Sequence, residues 1–188
     1  VLELCRLGHA DVSTLMFLSS STVYGDFIDD WVDETTRPRP RGIYANTKYM
    51  GERLVRTYCH TNGLGTCIIR PSALYGERCV SRRVSQAFIE NALTGKPLRL
   101  EGGGDGLLDF TYIDDIVESI YRLLKIKKKF TNSIYSVGNN SPVKLMHFVE
   151  EIEKILGIKA KYNFMPLQQG DVVSTFSNSK KLVKLIKF

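Results

Sequence analysis

Leu15-Met16-Phe17-Leu18-Ser19-Ser20-Ser21-Thr22 decides the fold, because a short apolar run closes on four consecutive hydroxyl side chains. A run this short, bounded by polar residues, reads as a buried strand rather than a helix. Its hydroxyl end is the carboxyl end of that strand, where open α/β sheets place their ligands. Upstream, residues 1–9 read as the end of a helix. Downstream lies a long loop rich in Asp, Thr, Pro and Arg, running through Pro38 and Pro40. From about Tyr44 to Tyr58, apolar Met50, Leu54, Val55 and Tyr58 recur at helical spacing, and Asn62-Gly63 stops the helix. Thr66–Ile69 is β-branched and buried in character. Further strands are predicted at Leu98–Leu100, Phe110–Ile113, Ser133–Val137 and Tyr162–Met165, and helices near 83–94, 142–156 and 179–186. Asp115 followed by Glu118 has capping-box spacing and predicts a helix start there. Strands alternating with helices predict an α/β fold with a largely parallel sheet.

The chain has 188 residues, 43% hydrophobic and 24% charged, which suits one folded domain, or one and a fraction, and excludes general disorder. Its purely apolar stretches run only a few residues, too short to span a bilayer, so no membrane role is expected. Val1 already sits inside a helical pattern, which suggests a piece of something longer. The formal net charge of +6 suits an anionic small molecule such as a nucleotide diphosphate. No basic run is interleaved with aromatics, so nucleic acid is not an expected partner. Lys127-Lys128-Lys129 and Lys180, Lys181, Lys184 and Lys187 read as solvated helix ends. The cysteines at 5, 59, 67 and 79 show no CxxC spacing, and no secretory leader is read, so reduced thiols in the cytoplasm are expected. His9, His60 and His147 are too scattered for a metal site.

The chemistry concentrates in Tyr44-Ala45-Asn46-Thr47-Lys48. Residues four apart share a helix face, so the phenol and the ammonium converge on one point. A neighbouring ammonium favours the phenolate, which makes tyrosine usable as an acid–base group near neutral pH. Such a pair occurs by chance on many surface helices. Here it stands between the hydroxyl-ended strand and Arg70-Pro71-Ser72-Ala73-Leu74-Tyr75-Gly76, which follows the next strand at the same sheet edge.

With those three blocks in order, followed by Asp109-Phe110-Thr111-Tyr112-Ile113-Asp114-Asp115, the strand Tyr135–Asn139 and Met165–Val172, the sequence resembles the extended short-chain dehydrogenase/reductase family. It is most similar to the nucleotide-sugar epimerases and dehydratases, and in its last block to UDP-glucuronate 4-epimerases. The resemblance implies a Rossmann-like doubly wound parallel sheet and a smaller substrate-binding lobe. Residues 1–77 and 109–140 would belong to the NAD-binding domain, and 78–108 and 141–188 to the lobe. It also implies catalysis by Ser20, Tyr44 and Lys48. Tyr44 would take a proton from a sugar hydroxyl, Ser20 would hydrogen-bond the same oxygen, and Lys48 would hold the nicotinamide ribose. Tyr44, Lys48 and Pro71 would line the cofactor, with NAD expected and NADP left open. Ser21, Arg78, Gln168 and Asp171 would touch a nucleotide-diphosphate sugar. The reaction implied is epimerisation through a keto-sugar, in a homodimer with the Tyr44 helix close to the partner.

The pattern also departs from the family. The glycine-rich dinucleotide fingerprint is absent from these residues, so they are expected to be the C-terminal portion of a longer enzyme, inactive alone. Ala73 stands where many relatives carry Asn or Thr, and Leu108 where an Arg usually reaches the diphosphate; Arg78 or Arg99 is the expected substitute cation. In the family's 4,6-dehydratases an Asp and a Glu directly follow the catalytic Thr, whereas Ser21 and Thr22 occupy those positions here. A dehydratase, decarboxylase or ketoreductase on the same scaffold, or a non-catalytic binding protein, are the rival readings. Gly102–Gly106 joins two extended segments and reads as a turn rather than a phosphate loop, which would open a helix.

Overall fold

The structure is a computed structural model that describes residues 1–7, 12–27, 31–126, 130–167, 174 and 176–187. In chain order the elements are α1 (Leu2–Arg6), β1 (Thr14–Leu18), α2 (Gly42–Thr61), β2 (Gly65–Pro71), β3 (Ala73–Tyr75), α3 (Val84–Leu93), β4 (Leu98–Glu101), β5 (Leu107–Leu108), β6 (Phe110–Tyr112), α4 (Ile113–Lys125), β7 (Ser133–Val137), β8 (Val143–Lys144), α5 (Leu145–Leu156), β9 (Tyr162–Met165) and α6 (Lys180–Ile186). Short 3-10 turns span Ser21–Tyr24 and Gly102–Gly104.

β1, β2 and β7 form a parallel sheet in the order β1-β2-β7, with Leu18 opposite Ile69 and Pro71 opposite Val137. The central strand β2 carries Cys67, Ile68 and Ile69 in succession, all fully buried. Alternation sends them to opposite faces. Ile68 meets Val55 and Cys59 of α2, whereas Cys67 and Ile69 meet Ile116 and Leu123 of α4 and Leu182 and Ile186 of α6. Fully burying an aliphatic side chain of this size stabilises by roughly 1.5–3 kcal/mol, so a strand covered on both faces must be apolar throughout. That two-sided coverage is the doubly wound arrangement the resemblance implied. α6, grouped with the smaller lobe by the expected boundaries, packs against the sheet.

A second cluster joins Phe88 and Ala92 of α3, Leu98 and Leu100 of β4, and Leu145, Val149 and Ile152 of α5. β4 pairs in parallel with β9, β3 with β6, and β5 runs antiparallel to β8. The pairing of Val143-Lys144 with Leu107-Leu108 delays α5 to Leu145, three residues later than its periodicity predicts. The Gly102–Gly104 turn connects two strands, and no helix begins there.

The capping role expected of Asp115 is corrected by the structure. α4 begins at Ile113 with Tyr112 as its N-cap and no side-chain cap, because β6 turns directly into the helix. Asp114 and Asp115 occupy the first helical turn, where carboxylates complement the helix dipole.

The smaller cluster is closed by one carboxylate. Glu153, buried on α5, accepts hydrogen bonds from Lys159 Nζ (2.8 Å), Tyr162 Oη (2.6 Å) and the Ala160 amide (2.8 Å), tying β9 and the turn before it to the helix. The Lys159 bond first, then those from Tyr162 and Ala160, pull its pKa from an ordinary 4.5 to about 2. A carboxyl depressed in the folded state contributes stability that is complete above its unfolded pKa and is lost as pH falls through the folded one. Urea midpoints are therefore expected to decline between about pH 4.5 and about pH 2. Glu153→Gln should flatten that decline and cost about 1.5–3 kcal/mol at neutral pH. An unchanged acid limb in the variant would show that Glu153 does not set it.

Candidate active site

The carboxyl ends of β1, β2 and β7 lie side by side, because Ser19 N donates to Ile69 O (2.7 Å) and Ser72 N to Val137 O (2.8 Å). At this edge β1 passes into the Ser21–Tyr24 turn, whose N-cap is Ser20. Ser20 Oγ accepts from the Thr22 amide (3.3 Å) and from Thr22 Oγ1 (2.9 Å). With both acceptor positions used, its own hydrogen is left to donate. The turn closes at Gly25, at φ +76, where any side chain would collide with the Arg39 carbonyl. Glycine is required there for both reasons.

α2 crosses β1 at short range. Gly51 faces the Phe17 ring so closely that a Cβ would strike it. One turn earlier, Lys48 Nζ donates to the Leu18 carbonyl (3.0 Å), two residues before Ser20, and lies 5.8 Å from the centroid of the Tyr44 ring. An ammonium has three donors, so two remain for a ligand. Tyr44 is about half exposed (52%) on the first turns of α2, with its ring open to solvent. Tyr49, on the same helix, packs against Val23 and Tyr24 of the turn. The structure thus brings Ser20, Tyr44 and Lys48 to one sheet edge, with Pro71 at the end of the neighbouring strand.

The remaining expected contacts are dispersed. Ser21 is buried inside its turn. Arg78, exposed and at φ +59, lines a cleft of about 550 Å³ with Tyr75, Ser85, Gln86, Glu90 and Tyr112, a lining that includes none of Ser20, Tyr44 and Lys48. Arg99 pairs with Glu101 at 3.7 Å. Gln168 and Asp171 lie outside the described residues.

Two features escaped the sequence reading. Beneath the site, Arg70 and Glu52 form a buried two-pronged ion pair, Nε to Oε1 at 2.9 Å and Nη2 to Oε2 at 2.6 Å. The signal was available: Glu52 falls one turn after Lys48 and in phase with buried Ala45, Val55 and Cys59. Burial opposes charge on Arg70, but the Glu52 bonds outweigh it and hold the guanidinium strongly protonated. The second feature is Asp109, fully buried beside Gly138, where the amides of Ser141, Ser177, Asn139 and Asn140 face its carboxylate. Burial pushes its pKa up against those bonds. No local pattern announces such a partner set.

Among the described residues, no group of three or more His, Cys, Asp or Glu is arranged to hold a metal ion, and no helix is long and apolar enough to cross a membrane. Among the described residues, Ser19 Oγ and Ser72 Oγ, which flank Ser20 and Pro71, are buried without a hydrogen-bond partner. Leaving such a hydroxyl unpaired costs about 1–3 kcal/mol. The two remaining donors of Lys48 at this edge fit a polar cofactor.

A parallel sheet covered on both faces, with a Tyr–Lys pair and a hydroxyl turn at its carboxyl edge, defines a dinucleotide-type α/β enzyme scaffold. Comparison with known proteins gives the family. Residues 1–138 match the model of the NAD dependent epimerase/dehydratase family, and the chain belongs to that family. A protein of Methanocaldococcus jannaschii is 38% identical over 184 residues, covering 95% of this chain and 54% of that one. UDP-glucuronate 4-epimerase 1 of Arabidopsis thaliana is 34% identical over 194 residues, covering 95% and 45%. The crystal structure of UDP-glucuronic acid 4-epimerase from Bacillus cereus, in complex with UDP-glucuronic acid and NAD, superposes with a TM-score of 0.93 at 29% identity, covering all of this chain and 59% of that one. The chain thus spans between 45% and 59% of the length of these three relatives.

Proposed function

We propose that the full-length protein catalyses NAD-dependent epimerisation at C4 of a nucleotide-diphosphate sugar, with a UDP-hexuronate as the substrate class. The observation that carries this reading is the placement of Lys48, anchored to Leu18 O beside Ser20 and stacked near Tyr44 on one helix face. Tyr44 removes the proton of the C4 hydroxyl and later returns it. Ser20, with its hydrogen free, donates to the same oxygen and steadies it as the carbon passes between alcohol and ketone. Tyr44, Lys48 and Pro71 are the groups on this chain that would hold the nicotinamide end of NAD. When bound, NAD supplies reversible hydride acceptance. Ser21, Arg78, Gln168 and Asp171 are assigned to the nucleotide sugar.

In this reading 1–77 and 109–140 serve the cofactor and 78–108 and 141–188 the sugar nucleotide, apart from α6, which packs against the cofactor-side sheet. The enzyme works as a cytoplasmic homodimer. Unbonded cysteines at all four positions suit a reducing compartment. Exposed Met50 and Leu54, four apart on the outer face of α2, suit a subunit contact.

Epimerisation is favoured over dehydration by the turn after Ser20. Removing water across C5–C6 requires further acid and base groups, and Ser21 and Thr22 are hydroxyls already engaged in the turn, one buried and one donating to Ser20. The nearest carboxylate in sequence, Asp26, is paired with Arg41 at 2.5 Å. Mass spectrometry of the reaction mixture tests this. With a UDP-hexuronate the expected product is a new chromatographic peak of unchanged mass; a dominant product lighter by one water from a UDP-hexose, which keeps the C6 hydroxyl that a dehydratase eliminates, would replace this reading with a dehydratase.

A further inference from the structure

We infer that the buried Glu52–Arg70 pair, stacked on Tyr24, is a positioning element that holds Tyr44 and Lys48 in register with Ser20. The inference rests on the proposed roles of those three residues.

Tyr44, Lys48 and Glu52 follow one another at four-residue spacing on α2, so whatever fixes Glu52 fixes the rotation and height of the other two. The fork from Arg70 makes two parallel bonds to both carboxylate oxygens of Glu52. Such a pair restricts rotation as well as distance, which apolar packing of interchangeable rotamers does not. Gly51 lets the helix come close enough to Phe17 for the fork to close.

The same guanidinium reaches the other half of the site. Its central carbon lies 4.8 Å from the centroid of the Tyr24 ring, and Tyr24 ends the turn that Ser20 begins. Tyr24 Oη shares a hydrogen bond with Ser136 Oγ (3.0 Å), and the Ser136 amide donates to Glu34 Oε1 (2.6 Å). A continuous buried network therefore supports both catalytic segments from beneath. Glu52, Arg70 and Tyr24 are each at most 2% exposed, so none of them touches a ligand. Stability alone does not call for such a pair, because apolar residues of similar volume commonly serve as well. Geometry does call for it.

The test uses the full-length protein carrying Glu52→Leu together with Arg70→Met, which removes both charges at once. Thermal midpoint, amide hydrogen exchange of residues 19–25 and 42–50 without added substrate, and kcat and KM per cofactor-loaded site are measured together. The expected result is a midpoint near that of the wild type, exchange faster by roughly tenfold or more in both segments, and kcat lower by roughly tenfold or more with KM little changed. Wild-type exchange together with wild-type kcat would overturn the inference. So would a loss of activity explained wholly by a smaller folded fraction. Should the double variant fail to fold, Arg70→Lys keeps the charge and discards the fork. Full kcat and unchanged exchange in that variant overturn the inference, and a kcat loss with faster exchange in both segments supports it. Tyr44→Phe separates the two readings. If it retains wild-type activity the proposed chemistry fails, whereas the coupled exchange of the two segments is decided independently.

Discussion

Tyr44→Phe is expected to lower kcat of the full-length protein by about 10²–10⁴-fold, the usual contribution of a general acid–base group. The ring of Tyr44 is half exposed, and among the described residues its hydroxyl makes no hydrogen bond, so the substitution should leave folding and cofactor affinity intact. Lys48 keeps its bond to the Leu18 carbonyl whatever stands at position 44, and the Ser20 turn is held by Thr22. Loss confined to kcat, with an unaltered circular dichroism spectrum and NAD titration, is the signature of a missing proton acceptor. Activity of the Phe variant within a few-fold of wild type would make Tyr44 an ordinary exposed aromatic and remove the basis of the proposed chemistry.

Arg70→Met with Glu52 left in place is expected to destabilise the fold by about 3–5 kcal/mol, because a buried carboxylate loses both of its bonds. Glu52 is fully buried and Arg70 nearly so, and water cannot take over the solvation of the abandoned group without opening α2 from the sheet. For a domain of this size each kcal/mol shifts the thermal midpoint by about 2–4 °C, so a fall of roughly 10 °C is the measurable consequence. Adding Glu52→Leu to the same chain should recover most of it, since the penalty comes from the unpaired charge rather than from the missing pair. A single variant that melts with the wild type would mean that Glu52 finds another partner or takes up a proton at little cost.

The parts of the fold that could be read in advance are those governed by short-range pattern. β7 and β9 fall at the residues expected of them, and α3 within one residue, because short β-branched or aromatic runs and helical segments bounded by turn residues are local features of the sequence. The Tyr44–Lys48 juxtaposition is likewise a property of one helix. Where reading failed, a partner distant in sequence had intervened. α4 starts at Ile113 instead of near Asp115 because β6, held by β3, delivers the chain already turned. α5 starts late because Val143 and Lys144 are taken by β5.

The candidate site divides the same way. Ser20, Tyr44, Lys48 and Pro71 were identifiable because each belongs to a block whose order along the chain is informative. Glu52 was not singled out, because a glutamate on a helix is normally solvated; only its meeting with Arg70, eighteen residues away, makes it a buried ion. Asp109 is similar, since its partners are backbone amides of residues 139–141 and 177, which no side-chain pattern encodes. By itself, then, the amino-acid order determined the alternation of strands and helices, the hydroxyl end of β1 and the shared face of Tyr44 and Lys48, all set by interactions within a few residues. Tertiary structure alone decided that α6 closes the sheet, that the lining of the Arg78 cleft includes none of Ser20, Tyr44 and Lys48, and that a buried Glu52–Arg70–Tyr24 network lies beneath the candidate site, because those outcomes depend on desolvation and pairing between segments that meet only once the chain has folded.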